Sequence, residues 1–210
     1  MEDVARALAT VERPIPADPR LAPPDPVDAG LPRYDRATFP PARPASTLLV
    51  LYPGDDGKLT IPLTIRHADL RAHAGEVSLP GGAVDPADPS RVAAALREAH
   101  EEIGLEPAAV TVLGELDDVW IPVSNYELRP FVAGVVARPR LEPQTSEVAA
   151  IVELPLHRLL APDAVTREQI RVREWTLTVG VYRHAGQQIW GATARTLAMF
   201  ATVLRTADVG

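Results

Sequence analysis

The amino-acid sequence predicts a mixed β-sheet covered by helices, an α/β (α+β) sandwich. Three observations lead to this class. Apolar stretches of strand length are interleaved with helical patterns, no internal repeat follows the N-terminal region, and 46% of the 210 residues are hydrophobic. A chain of this size and composition can bury one substantial core.

The first part of the chain, residues 1–44, is predicted to be an arm outside the compact domain. It holds ten of the 22 prolines, which have no backbone N–H to complete the hydrogen bonds of a sheet. A short helix at residues 3–11 is its only periodic element. The arm could be a disordered tail, lie over the domain or lie over a second subunit, so a homodimer is one expectation. The domain itself is expected at residues 45–210.

The domain is expected to open with a hairpin. Thr47–Tyr52 has the composition of a buried strand, and Leu59–Arg66 that of a second strand. The sequence Pro-Gly-Asp-Asp-Gly at residues 53–57 favours a turn between them.

A glycine-rich loop from His67 to Asp88 precedes a predicted helix. Asp88 followed by Pro89 fits a helix N-cap, and Gly104 fits a C-terminal glycine cap. The later patterns predict strands at 110–116, 128–136 and 149–154, a short helix at 156–160, a strand pair at 175–184 and 187–190, and a closing helix at 193–206.

The helix before Gly104 carries the strongest chemical signal. Glu98, Glu101 and Glu102 lie three and four positions apart, which places three carboxylates on one face. Like charges at this spacing destabilise a helix by about 0.2–0.5 kcal/mol per pair, and the adjacent turns supply only Arg97 and His100 as partners. Carboxylate oxygens favour a hard cation, so we expect Mg²⁺, or Mn²⁺ in its place.

Residues 82–105 resemble the Nudix box of the Nudix hydrolases, enzymes that cleave a nucleoside diphosphate linked to another group. The positions that match the box are Gly82, Asp88, Arg97, Glu98, Ala99, Glu101, Glu102, Gly104 and Leu105. Asp88 replaces the usual glutamate, and one extra residue separates it from Arg97. The resemblance implies a Nudix-type α/β/α sandwich around a mixed β-sheet.

The resemblance and the chemistry of the groups together nominate a catalytic site. Glu98 and Glu102 are expected to be the principal metal ligands, with Glu101 as a third ligand or the carrier of a metal-bound water. Arg97 is expected to hold a glutamate in position. Glu147 matches the placement of the general base in many Nudix enzymes, although a solvated loop acid is the plain alternative.

A second resemblance concerns the substrate. Leu63-Thr-Ile-Arg66, Arg71, Gly75 and Leu79-Pro-Gly-Gly82 resemble the signature of the coenzyme A pyrophosphatase branch, with His67 in place of serine and Leu79 in place of phenylalanine. This implies a coenzyme A substrate, with ADP-ribose or another nucleoside diphosphate derivative as the nearest alternative. A non-catalytic nucleotide sensor on the same scaffold is a third reading.

Four residues of this signature are expected to bind the substrate. Arg66 and Arg71 are candidates for its phosphates, because a guanidinium binds phosphate in a forked geometry. A surface salt bridge is an equal alternative for Arg71. Gly81 and Gly82 allow close approach of the main chain to a ligand. Of the tryptophans, Trp120 is expected near the site rim, to stack or to contact an acyl or pantetheine arm, and Trp190 is expected to pack in the core.

Composition excludes several other functions. The chain has no cysteine, which rules out disulfides, thiolate metal sites and a thiol nucleophile. Its formal net charge of −7 argues against nucleic-acid binding. It shows neither the apolar stretch of a signal peptide nor a run approaching the ~18 apolar residues of a membrane span, so we expect a cytoplasmic protein with no membrane partner.

Overall fold

The computed structural model describes residues 1–16, 18–22, 35–67, 75–172 and 175–207. The helices are α1 (Glu2–Thr10), α2 (Arg91–Ile103), α3 (Leu156–Leu160) and α4 (Gly191–Thr206). The strands are β1 (Arg43–Pro53), β2 (Leu59–Arg66), β3 (Val77–Ser78), β4 (Gly81–Ala83), β5 (Thr111–Glu115), β6 (Val119–Ile121), β7 (Tyr126–Gly134), β8 (Val148–Pro155), β9 (Val165–Val172), β10 (Trp175–His184) and β11 (Gln187–Ile189). Within these ranges, none of the helices combines the length and apolar character that a membrane crossing requires.

The sheet is mixed, as the sequence predicts. Among the described residues its main path runs β3-β2-β1-β7-β5, with β4 also paired to β1, β6 to β7 and β8 to β2. The long pairing of β1 with β7 is parallel, whereas the other pairings of this sheet are antiparallel. β9, β10 and β11 form a second, antiparallel sheet.

The central strand β1 shows why helices lie on both sides of the sheet. Its side chains alternate between the two faces, and both faces are apolar. Leu48, Val50 and Tyr52 pack with the buried face of α2, while Leu49 and Leu51 belong to the core cluster that includes α1 and α4. The architecture is therefore an α/β/α sandwich, which confirms the predicted fold class.

The described N-terminal residues lie over the domain. Val4, Ala7 and Leu8 form the buried face of α1 and belong to the same core cluster as α4. Ile15 is also buried, and its backbone N–H donates to the Asp117 carboxylate. These described residues of the arm therefore pack on the domain.

The start of α2 differs from the sequence expectation. Ser90, not Asp88, is the N-cap, because its Oγ accepts a hydrogen bond of 3.2 Å from the Ala93 N–H. The Asp88 carboxylate is instead occupied by Arg97. The cap at the other end is confirmed, since Gly104 has a left-handed φ of +67°.

Four strands were not predicted: β3, β4, β6 and β9. The first three have only two or three residues each, which is too short for a periodic pattern. β9 contains four consecutive polar residues, Thr, Arg, Glu and Gln at 166–169, so it resembles a loop in sequence.

If α1 is part of the core, shortening one of the buried side chains of α1 will destabilise the whole domain. Leu8 is 4% exposed, so we expect Leu8→Ala to lower the free energy of unfolding by about 2–5 kcal/mol in urea titrations. Arg6→Ala, on the exposed face of α1, should change it by less than about 0.5 kcal/mol. Equal stability of the two variants would show that α1 does not contribute to the core.

Candidate active site

Seven of the residues that the sequence nominates meet around one cavity of about 450 Å³. It lies between α2, β4 and the loop that precedes β8. Its walls are Arg66, Gly81, Gly82, Ala83, Glu98, Glu101, Glu102, Gln144 and Glu147, and we call it the acidic cavity. Arg97 contacts two of these glutamates. Arg71 lies outside the described residues.

Glu102 is the most buried acid of this cavity, with a side chain only 5% exposed. Its Oε2 accepts a hydrogen bond of 3.1 Å from the Gly81 N–H, and its Oε1 lies 3.8 Å from Arg66 Nη1. Burial raises the pKa of Glu102 to about 7, and the negative charges of Glu98 and Glu147 act in the same direction. The hydrogen bond from Gly81 and the positive charge of Arg66 offset this rise in the pKa of Glu102 only in part.

The Glu98 carboxyl is half-buried beside Glu102. Burial raises its pKa, Arg97 opposes that shift, and the charges of Glu101 and Glu147 add to it. Two neighbouring acids with raised pKa values indicate a place where negative charge is not fully compensated by the protein.

Arg97 is the cation that binds three of the acidic side chains at the site. Its Nε and Nη2 donate to the two oxygens of Asp88, both at 3.0 Å, in a forked pair. Its Nη1 donates to Glu98 Oε1 at 3.0 Å and to Glu101 Oε2 at 2.9 Å. Because Asp88 fixes the guanidinium, Arg97 can hold two glutamates at once. This arrangement has the form expected of a residue that positions glutamates.

Two consecutive positions beside these carboxylates require glycine, each for a different reason. Gly81 has a φ of +155°, and a Cβ there would lie 2.3 Å from the Ser46 carbonyl oxygen. Gly82 has no such backbone constraint, but its Cβ would lie 2.6 Å from the Glu98 carboxylate. Gly81 is therefore required by the backbone, and Gly82 by the position of Glu98.

Glu147 reaches the cavity through a loop that is bound to the end of α2. The N–H groups of Glu142 and Gln144 donate to the carbonyls of Ile103 and Glu102, at 3.0 and 2.9 Å. The Glu147 carbonyl then accepts from the His67 N–H at 2.8 Å. These backbone bonds place the exposed Glu147 side chain across the cavity from α2.

The arrangement of a glycine loop, an arginine and three glutamates on one helix has a counterpart in a known family. The NUDIX domain family matches residues 42–176. This chain belongs to the Nudix family. It is therefore a hydrolase that acts on pyrophosphate bonds, as the sequence resemblance implies.

Curated relatives carry the same family name. "Uncharacterized Nudix hydrolase NudL" of Pectobacterium atrosepticum is 41% identical over 140 residues, which cover 64% of this chain and 70% of the relative. The protein of that name in Cronobacter sakazakii is 40% identical over 137 residues, covering 63% and 68%. Among solved structures, the MutT protein from Methanosarcina mazei Go1 is similar with a TM-score of 0.49 and 19% identity, covering 79% of this chain and 95% of that one.

Nudix hydrolases generally use divalent metal ions, and the acidic cavity offers a suitable donor set. Within the described ranges, no three His, Asp or Glu side chains stand close enough together to hold an ion as they are. Glu101 is turned to Arg97, and Glu102 to Gly81. The donor chemistry nevertheless fits a hard cation, because the donors that Glu98, Glu101, Glu102 and Glu147 offer to the cavity are all carboxylate oxygens.

A second cavity, of about 600 Å³, adjoins the first and shares Arg66, Gly81, Gly82 and Ala83 with it. Its remaining described walls come from β1, from β3 and the residues beside it, from the β6–β7 hairpin, and from Trp190 and the first two turns of α4. Most of these side chains are apolar or small, so we call it the apolar cavity.

The expectation for Trp120 is wrong, and that for Trp190 is incomplete. Trp120 packs outside the apolar cavity, with the Phe39 ring edge-on at 5.2 Å and its Nε1 donating to Asn125 Oδ1 at 3.1 Å. Trp190 packs against the small core cluster of β9 and β10, and it also borders the apolar cavity.

The apolar cavity is the part of the site that sequence reasoning missed. Its walls come from segments as far apart in the chain as Arg43 and Thr196, and each wall alone has the composition of ordinary core. In the structure, Val123 is a large apolar residue of the hairpin turn that is 58% exposed at the cavity rim, but its exposure cannot be inferred from the sequence.

The two glycines give a matched test of the site. Gly82→Ala should leave the stability nearly unchanged, because the flexible Glu98 side chain can move, but that movement should lower turnover by about 100-fold. Gly81→Ala should lower the thermal melting temperature, because it forces a clash with backbone. Normal turnover of diphosphate substrates by Gly82→Ala would contradict the position assigned to Glu98.

Proposed function

We propose that this chain cleaves the diphosphate of coenzyme A or its derivatives to 3′,5′-ADP and 4′-phosphopantetheine, with Mg²⁺ or Mn²⁺. The acidic cavity supports the hydrolytic part of this proposal. The choice of substrate rests on the position of the coenzyme A signature. Four of its residues line the apolar cavity, which adjoins the acidic one: Arg66, Leu79, Gly81 and Gly82.

Each residue of the acidic cavity has a role in this reaction. Glu98, Glu101 and Glu102 would hold the divalent ion, which when bound polarises the phosphoryl oxygens and offsets charge on the leaving phosphate. Arg97 keeps Glu98 and Glu101 in place. Arg66, which borders both cavities, binds a phosphate oxygen.

Several observations support the role of Arg66. Its Nε is buried and has no hydrogen-bond partner within the described ranges, and its Nη1 lies 3.8 Å from Glu102, beyond hydrogen-bond distance. The guanidinium therefore retains donors for an anion. A diphosphate supplies the acceptors that match this geometry.

Glu147 takes the proton from the attacking water in this scheme. It is exposed and lines the cavity, and within the described part of the chain its hydrogen bonds are made through the backbone, which leaves its carboxylate available to receive a proton. Replacing it should slow the chemical step without preventing metal binding.

We therefore expect Glu147→Gln to lower kcat by about 10²–10⁴-fold while KM changes little. Glu142→Gln is the matched control, because Glu142 lies in the same loop but faces solvent beside Arg140. Steady-state kinetics of both variants and of the wild type test the role of Glu147. Equal kcat values would remove Glu147 from the mechanism.

The substrate is tested by comparing coenzyme A, ADP-ribose, NADH and nucleoside triphosphates, each with Mg²⁺ and with Mn²⁺. We expect kcat/KM to be at least about tenfold higher for coenzyme A, and its products to be 3′,5′-ADP and 4′-phosphopantetheine. A preference for ADP-ribose would reject the proposed substrate while leaving the hydrolase unchanged.

A further inference from the structure

We propose that the apolar cavity binds the uncharged arm of the substrate, the pantetheine group together with any acyl chain that it carries. This inference deepens the proposed function and rests on it. It places the diphosphate of the substrate at the acidic cavity and the uncharged arm in the apolar cavity, which adjoins the acidic one at β4.

The first argument is continuity. The two cavities share Arg66 and the three residues of β4, so a ligand whose diphosphate lies at Arg66 has one end directed into the apolar cavity. At about 600 Å³, this cavity falls within the range of ~300–1,000 Å³ that small-molecule sites occupy. It has room for a substantial part of a substrate.

The second argument is the character of the walls. Val77 and Leu79 form one side, and Ile121, Tyr126 and Leu128 form the other. Val123 continues the apolar surface to the rim, where it is 58% exposed. An extended chain of methylene and amide groups gains by leaving water for such a surface.

The third argument is charge. Among the residues that the structure describes, three charged ones line the apolar cavity: Arg43, Arg66 and Glu76. Arg43 already stacks over the Tyr126 ring at 4.1 Å and donates to the Ser124 carbonyl at 3.0 Å. The nucleotide half of the substrate carries an additional phosphate, which requires strong cationic partners. An uncharged arm has no such requirement and therefore fits these walls better.

The cavity also offers hydrogen bonds suited to amide groups. The first turn of α4, Gly191–Thr193, lines it, and Trp190 provides no side-chain cap for the N–H groups there. Deeper in the same wall, the buried Thr196 hydroxyl has no partner within the described part of the chain. A few polar groups in an apolar cavity match an arm with a few amides.

Binding of pantetheine, without metal, tests the inference independently of catalysis. Pantetheine is uncharged, so it does not need the acidic cavity. Ala192→Phe adds bulk to the α4 wall, and Val136→Phe adds the same side chain at a position that is 90% exposed and outside the cavity. By calorimetry, we expect the first variant to bind pantetheine at least about tenfold more weakly and the second to bind it like the wild type.

A second pair of variants changes exposed positions, where substitutions are expected to have little effect on folding. Val123→Asp places a charge at the exposed apolar rim, and Val112→Asp places one at another exposed valine, in β5. We expect Val123→Asp alone to weaken pantetheine binding, with both variants melting like the wild type. Failure of the wild type to bind pantetheine, or equal binding by all variants, would overturn the inference.

Product inhibition identifies which half of the substrate the cavity holds. In Ala192→Phe, inhibition by 4′-phosphopantetheine should weaken by at least about tenfold, while inhibition by 3′,5′-ADP should be unchanged. The opposite pattern would assign the cavity to the nucleotide and overturn the inference, even if coenzyme A is hydrolysed. Pantetheine binding that is sensitive to Ala192→Phe, in a protein that prefers ADP-ribose, would uphold the cavity assignment and reject the proposed substrate.

Discussion

The forked pair between Arg97 and Asp88 is the interaction on which the acidic site depends. Three glutamates on one helix face repel one another, and burial penalises the charges of Glu98 and Glu102 further. Arg97 offsets part of this cost because Asp88 fixes its guanidinium, which leaves Nη1 to hold Glu98 and Glu101. A lysine has no planar fork and could not hold three carboxylates in this way.

The pairing of β4 with β1 relates this site to the rest of the fold. Gly81 and Gly82 lie opposite Thr47 and Ser46 of the central strand, so the glycine loop is held against the sheet beneath the Glu98 carboxylate. α2 packs on one face of β1, and α4 belongs to the core on the other. The acidic and apolar cavities meet at these glycines, and one strand pairing therefore sets their relative position.

Periodic features of the fold could be predicted, whereas contacts between distant segments could not. Helical periodicity groups Glu98, Glu101 and Glu102 without any tertiary information. The predicted start of the helix at Asp88 was wrong, because the Asp88 carboxylate pairs with Arg97, a tertiary contact that the local sequence does not indicate, and Ser90 is the cap. The apolar cavity escaped prediction because β3, the β6–β7 hairpin and α4 each resemble core until they are brought together. The placement of Glu147 follows from backbone bonds to the end of α2, which no local pattern indicates.

The central claim is that the glutamates of α2 hold a divalent ion that allows an anionic protein to accept an anionic diphosphate. The most direct test of this claim is a titration with Mn²⁺, in which binding is monitored as the loss of the free-ion signal in electron paramagnetic resonance. The account predicts binding to the wild type and to Glu106→Gln/Glu142→Gln, whose altered side chains are exposed, and at least about 100-fold weaker binding to Glu98→Gln/Glu102→Gln. Equal Mn²⁺ binding by the two double variants would contradict it.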